Sequence, residues 1–267
     1  MKVTLIYPAI GITGFGCKEI TSGEVTWINH GLASIGAVLK EAGHDVYLID
    51  MRRLSGWEQF DKLMTTRKPD IVGISISAKD LKPADEAIKH IKKTVPDCKI
   101  VVGGIQPTQF PEKFKNNPDI DHIVKGEGES AMGNICTHYE VSRMGETVVP
   151  PSRVIKGKQE DLDSLPFVDR ALFDYKLEMD NPFILGAQRT PMVTMLAGRG
   201  CPYKCGYCQP AENSVFGTPY RVRSVDHVID ELKLLKDKYN FQSVLFWDDT
   251  FTIKEKWVEE FCSKYTF

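Results

Sequence analysis

Short apolar runs alternate with longer amphipathic ones from residue 1 to about 140, a rhythm that predicts repeated βα units over a parallel sheet. Five strands are predicted: Val3 to Tyr7, Asp45 to Asp50, Ile71 to Ser75, Lys99 to Val102 and His122 to Val124. They are rich in Val and Ile, as strands covered on both faces are. Between the first two lies a helix over Leu32 to Ala42. It stops at Gly43, because a glycine just past the last turn takes the left-handed cap conformation without steric strain. The fold class that follows is α/β, a doubly wound parallel sheet of the flavodoxin-like or Rossmann-like kind.

The rhythm changes after residue 140. Residues 141–190 hold several prolines and little periodicity, and read as a linker that packs on its neighbours. A second domain covers 191–267. There Pro191-Met-Val-Thr-Met-Leu-Ala197 predicts a strand, Val225 to Tyr239 a helix capped by Ser224, and Ser243 to Trp247 the next strand. Val225, Val228, Ile229, Leu232 and Leu235 recur mostly at spacings of three and four, so one stripe of that helix faces a core. A further helix is predicted over Lys254 to Tyr265.

A chain of 267 residues with 42% hydrophobic content can bury the cores of two such domains. The formal charge of -2, with acidic and basic residues interspersed, leaves no electrostatic footprint for a nucleic-acid backbone or an anionic membrane. The expected partners are a small-molecule substrate or another protein. Met1 runs directly into the strand-like Lys2 to Tyr7, and no run approaches the roughly 18 apolar residues of a spanning helix, so a cytoplasmic location is expected. Of the seven cysteines, Cys17, Cys98, Cys136 and Cys262 are scattered and form no even disulfide framework. They read as small buried hydrophobes.

The other three stand together in Cys201-Pro-Tyr-Lys-Cys205-Gly-Tyr-Cys208, just after a predicted strand. Three thiolates within so short a loop can wrap one metal centre. A structural zinc site wants four ligands, and the nearest further candidates, Cys262 and His227, are distant in sequence. Three ligands suit an iron-sulfur cubane with one iron left open, a zinc or incidental cluster being the alternative. The acidic pair in Phe246-Trp-Asp-Asp249-Thr-Phe251 ends the next strand. If the two strands are adjacent and parallel, Asp248 and Asp249 share a rim with the cysteines; an exposed Asp pair is otherwise an ordinary turn feature.

In the first domain a doubly wound sheet binds ligands at the carboxyl ends of its strands. The third strand finishes in Gly73-Ile-Ser75-Ile-Ser77, the fourth is followed by Gly103-Gly104, and the fifth by Gly126-Glu-Gly-Glu129. Small hydroxyl residues and paired glycines let backbone approach a bulky ligand closely.

The cysteine loop resembles the signature of the radical S-adenosylmethionine superfamily. With the strand-end glycines, the Gly31-Leu-Ala33 helix opening and Asp161-Leu-Asp-Ser-Leu-Pro-Phe167, nearly the whole chain resembles the cobalamin-binding branch of that family. The resemblance implies a [4Fe-4S] cluster on Cys201, Cys205 and Cys208, with S-adenosylmethionine chelated at the open iron. It places Tyr207 against the cofactor's adenine and Asp248 or Asp249 on its amino group. Ser75, Ser77, Gly103, Gly104, Gly126 and Glu127 would enclose cobalamin, and Arg221 and Arg223 form a basic stretch that is either functional or an ordinary solvated pair. Two departures stand out: the loop from Pro8 to Lys18 lacks the Asp-x-His-x-x-Gly motif that supplies a lower axial histidine, and Gln106 stands where relatives often have histidine. His30 lies close to the expected place but reads as a cap or surface residue.

The implied activity is cleavage of S-adenosylmethionine to a 5′-deoxyadenosyl radical, with cobalamin-dependent methylation of an unactivated carbon. A cyclisation, rearrangement or methylthiolation on the same scaffold, or a non-catalytic corrinoid-binding or cluster-binding module, are the alternatives. A reductant protein such as a flavodoxin or ferredoxin is implied as a partner. The family's TIM-like barrel is a partial one, and residues 191–267 have room for about two of its βα units. The chain is therefore expected to hold the beginning of the barrel and to be incomplete as an enzyme.

Overall fold

In the computed structural model, strand β1 (Lys2–Tyr7) pairs in parallel with β2 (Asp45–Asp50) on one side and β3 (Ile71–Ser75) on the other. Beyond β3 lie β4 (Lys99–Gly103), β5 (His122–Lys125) and β6 (Val154–Lys156), all parallel, in the order β2-β1-β3-β4-β5-β6. The order reverses between β1 and β3, which makes their carboxyl ends the switch point where open α/β sheets bind ligands. The described residues are 1–10, 14–15, 28–180, 189–205, 211–217 and 220–266.

Alternation along the strands sorts the core. Ile6, Ile49, Val72, Ile74, Ile100 and Val102 face one side, packed with Phe60 and Met64 of α2 (Trp57–Arg67) and Ala84, Ala87, Ile88 and Ile91 of α3 (Leu81–Thr94). The intervening Leu5 and Gly73 lie against α1 (His30–Glu41) and α6 (Glu129–Arg143), two helices that also pack on each other. Between β4 and β5 come the short helices α4 (Ile105–Gln109) and α5 (Glu112–Lys115). Asn29 caps α1 by accepting from the Leu32 amide at 2.9 Å, and Gly43 ends it with φ of +84°.

The chain divides into two compact units, the first comprising Met1–Glu19, Asn29–Gln159 and Val168–Phe173 and the second the remainder. The sequence reading put residues 141–190 in a linker. Within that stretch β6 joins the first sheet and Val168–Phe173 returns to the first unit, whereas Glu160–Phe167 packs in the second.

After Glu160–Phe167 the second unit continues with α7 (Tyr175–Asp180) and β7 (Met192–Met195). A short ribbon of β8 (Gly198–Arg199) and β9 (Arg221–Val222) is antiparallel, and α8 (Ala211–Phe216) lies between its strands in sequence. Then follow α9 (Val225–Tyr239), β10 (Ser243–Phe246) and α10 (Glu255–Lys264). β10 pairs with β7 in parallel, Ser243 opposite Met192 and Phe246 opposite Met195, the adjacency that the sequence reading had left conditional. Ser224 caps α9 through the His227 amide at 3.2 Å, and all five residues of the predicted stripe are buried. Trp257 and Phe261 carry α10 onto Phe246 and Phe251, with ring centroids 5.2 to 5.6 Å apart.

Candidate functional site

In the first unit the predicted ligand edge is a knot of backbone. Ser75 lies opposite Gly103 in the β3–β4 register, the Ile76 amide donates to Gly103 O at 2.8 Å, and the Gln106 amide donates to Ile76 O at 3.1 Å. Gly104 has φ of +95°, and a Cβ there would stand 3.0 Å from both N and O of Ile76 and 3.2 Å from Ser75 Oγ. Only glycine fits. Gly103 faces no such obstacle, since its Cβ would meet nothing nearer than Val124 at 3.7 Å. The Gly126 amide donates to Thr108 Oγ1 at 3.0 Å, which ties the turn after β5 to α4.

Ser75, Gly103, Gly104 and Gly126 are thus brought to one edge. Ser77 is committed to the chain itself: its hydroxyl donates to Asp80 Oδ2 at 2.6 Å, closing the one-turn helix Ala78–Asp80. Glu127 is buried, 3% exposed, and Glu129 accepts from the Ser34 hydroxyl at 2.7 Å, so this acidic turn is part of the packing at the start of α6. The sequence reading missed a cation at the same edge. Arg52 forks onto Asp50 with contacts of 2.8 and 2.6 Å and lies 4.6 Å from the Tyr7 ring centre, closing the ends of β1 and β2. Nothing in the sequence distinguishes that Asp-x-Arg from a surface pair.

In the second unit the carboxyl ends of β7 and β10 are joined by Asp248. Its Oδ2 accepts from the Ala197 amide at 2.9 Å; its Oδ1 accepts from the Gly198 amide at 2.5 Å and the Tyr220 hydroxyl at 3.0 Å. Burial pushes this carboxyl above the usual range, offset in part by those donors. Burial likewise holds the Tyr220 phenol well above its ordinary value, reinforced by Asp248. Tyr220 covers Gly198 so closely that a Cβ on Gly198 would overlap its ring and hydroxyl. Asp248 therefore anchors the chain just before the cysteine loop, whereas Asp249 is exposed.

Cys201 is half-buried and Cys205 exposed, both as free thiols; Tyr207 and Cys208 lie outside the described residues. Asn213 of α8 holds the loop from one side, accepting from the Cys201 amide at 3.3 Å and donating to Tyr203 O at 3.2 Å. The basic pair is not solvated. Arg223 is in an ion pair with buried Glu231 at 2.6 Å, and Arg221 donates to Glu160 O at 2.8 Å. Among the scattered cysteines, burial pushes Cys98 and Cys136 up to about 12, in keeping with small inert hydrophobes. Cys262 is instead exposed on α10, and Cys17 lies outside the described residues. No helix among the described residues is long and apolar enough to cross a membrane.

Fold and sites together define a chain with a doubly wound sheet whose carboxyl edge is lined with glycines, followed by a parallel β/α unit opening on a thiol loop. Residues 20–135 match the B12 binding domain family. The anaerobic magnesium-protoporphyrin IX monomethyl ester cyclase of Rubrivivax gelatinosus is 29% identical over 277 residues, 99% of this chain and 48% of that protein. The cytidylyl-2-hydroxyethylphosphonate methyltransferase of Streptomyces wedmorensis is 25% identical over 279 residues, 83% of this chain and 51% of its own length. In fold, the chain is similar to the cobalamin-dependent S-adenosylmethionine radical enzyme OxsB with aqua-cobalamin and S-adenosylmethionine bound. The TM-score is 0.69 at 20% identity, over 98% of this chain and 36% of that one. The chain is thus similar to the B12 binding domain family over residues 20–135 and, in fold, to a cobalamin-dependent S-adenosylmethionine radical enzyme over nearly all its length. It spans about half the length of the curated relatives it matches.

Proposed function

We propose that this chain is the corrinoid-binding and cluster-binding part of a radical S-adenosylmethionine enzyme that methylates an unactivated carbon of a small-molecule substrate. The observation that carries the proposal is the thiol loop at the carboxyl end of β7, fastened beside the parallel strand β10 by Asp248 and braced by Asn213. Exposed and half-buried free thiols on a braced loop fit a cluster; the buried thiols elsewhere, with their raised values, do not. Cys201, Cys205 and Cys208 would be its ligands. Asp249, exposed at the same rim, would take the amino group of S-adenosylmethionine, since both oxygens of Asp248 already accept from the chain; Tyr207 would lie against the adenine.

Ser75, Gly103, Gly104 and Gly126 would line the corrinoid edge, with Ser77 and Glu127 supporting it from within the fold. Bound together, these cofactors supply a carbon-centred radical and a methyl group, and the protein contributes orientation and exclusion of water. A reductant protein of the flavodoxin or ferredoxin kind would deliver the electron. The cyclase among the relatives favours ring formation as the second reading. Product analysis decides between them: the full protein with reductant, S-adenosylmethionine and its substrate should give 5′-deoxyadenosine and a product in which methyl has replaced hydrogen, heavier by CH2. An unmethylated, newly closed ring would instead establish the cyclase reading.

A further inference from the structure

The backbone that leads from β7 into the cysteine loop is held by two residues. Asp248 accepts from the amides of Ala197 and Gly198. Arg223 takes the carbonyls: its own amide donates to Ala197 O at 2.8 Å and its Nη1 to Leu196 O at 3.4 Å. Ala197, four positions before Cys201, is thus gripped through its N–H by one residue and through its C=O by the other. The guanidinium is itself fixed. Nη1 lies 2.6 Å from Glu231, whose side chain is 2% exposed, while Nε donates to His227 Nδ1 at 3.0 Å and Nη2 to His227 O at 3.2 Å. The chain around Arg223 is fixed as well, because Trp257 Nε1 donates to Arg223 O at 2.7 Å. Next to it the Ser224 amide donates to both oxygens of Asp163, at 2.9 and 3.1 Å. A buried ion pair is weak evidence for stability, and this one directs its cation at the backbone that enters the thiol loop.

We propose that Arg223 is a positioning residue for the iron-sulfur cluster: anchored by Glu231 and His227, it sets the path of Leu196 to Gly198 and hence where Cys201 meets the metal. The inference rests on the cluster reading above and names the residue that aims the first of its ligands. The geometry separates this role from that of an ordinary core ion pair. A pair needs only charge, which a lysine supplies. Arg223 uses a planar fork to reach Glu231, Leu196 O and His227 O at once, and a point charge on a flexible stem cannot reproduce that. Groups behind metal ligands orient them, and losing one commonly weakens a site about 10–100-fold without removing a ligand. Asn213 still accepts from the Cys201 amide when Arg223 is changed, so the entry to the loop loosens while the loop keeps its other brace. The Asp161–Phe167 segment singled out in the sequence then has a task, since its Asp163 fixes the residue after Arg223.

The test compares the whole chain with Arg223→Lys, which leaves a charge opposite Glu231 and gives up the fork. Leu235→Ala is the control: it opens a cavity on the buried stripe of α9 and alters no group of the clamp. In cluster-free protein, hydrogen exchange of the Ala197 and Gly198 amides, taken relative to the core amides of α9, should quicken about tenfold in Arg223→Lys, the scale of one hydrogen bond, and stay at the wild-type ratio in Leu235→Ala. In anaerobically reconstituted protein, Arg223→Lys should keep about four irons. The S-adenosylmethionine concentration that half-converts its reduced-cluster resonance signal should rise about tenfold, with Leu235→Ala matching wild type. If Arg223→Lys does not fold, Arg223→Gln combined with Glu231→Gln, which leaves neither charge buried, carries the same expectations. A wild-type exchange ratio, or a wild-type response to S-adenosylmethionine, in the Arg223 variant overturns the proposal. So do both changes in Leu235→Ala, since general loosening then accounts for them. A wild-type chain that takes up no iron-sulfur cluster overturns the cluster reading itself, and the proposal with it.

Discussion

Replacing Asp248 with alanine should destabilise the second unit by about 3–5 kcal/mol. The substitution removes the acceptor for the Ala197 and Gly198 amides and the Tyr220 hydroxyl. Each buried amide left unpaired costs about 1–3 kcal/mol, and the hydroxyl, free to rotate, adds less. Water entering the vacated space returns part of that loss. Urea unfolding followed by tryptophan fluorescence suits the measurement, because Trp247 and Trp257 both lie in the second unit. With a slope of about 1–3 kcal/mol per molar urea, the transition of that unit should fall by at least about 1 M. Asp248→Asn should cost less, since its shape is kept and only one oxygen gives way to a donor facing an amide. Burial raises the Asp248 carboxyl above its unfolded value of 3.8. Its contribution is therefore fully present below that value and is lost as pH rises through the folded value. The advantage of wild type over Asp248→Asn should shrink between acid and neutral pH. A wild-type midpoint in Asp248→Ala, or an advantage that grows with pH, would refute this account of the strand-end tie.

Gly198→Ala should destabilise the same unit by about 1–3 kcal/mol, because the new methyl group displaces the Tyr220 ring, and its urea midpoint checks this. In folded, cluster-free protein at pH 8, Cys201, Cys205 and Cys262 should react with iodoacetamide while Cys98 and Cys136 stay unmodified in peptide maps until the chain is unfolded. His122 is held below 6.5 by burial between Tyr139 and Ser152 O. It should titrate by nuclear magnetic resonance below that value, and its share of the first unit's stability, present above 6.5, should be lost as pH falls through the folded value.

The strands β1 to β5, the stop at Gly43 and the capped helix α9 were legible because local chemistry decides them: buried Val and Ile runs, a left-handed glycine, a serine at a helix start. β6 was not, since three residues among prolines carry no period and pair only through an edge already built. The cysteine loop announces itself by spacing. The roles of its neighbours do not, because they depend on which backbone groups come within reach across the fold. Asp248 and Asp249 are chemically identical in the sequence, yet the first is bound to Ala197 and Gly198, 51 and 50 residues away, and the second is exposed. Arg223 reads as a surface cation until α9 supplies Glu231. Asn213 carries no motif, and only its hydrogen bonds mark it.

The central claim is that Cys201, Cys205 and Cys208 hold a cluster with an open iron. It is tested most directly by electron paramagnetic resonance of the anaerobically reconstituted, reduced 267-residue chain before and after adding S-adenosylmethionine. About four irons per chain, a reduced-cluster signal that changes shape when S-adenosylmethionine is added, and loss of both on alanine substitution of any of the three cysteines are the predicted results. Stoichiometric zinc in place of iron, or iron content indifferent to those substitutions, would contradict it.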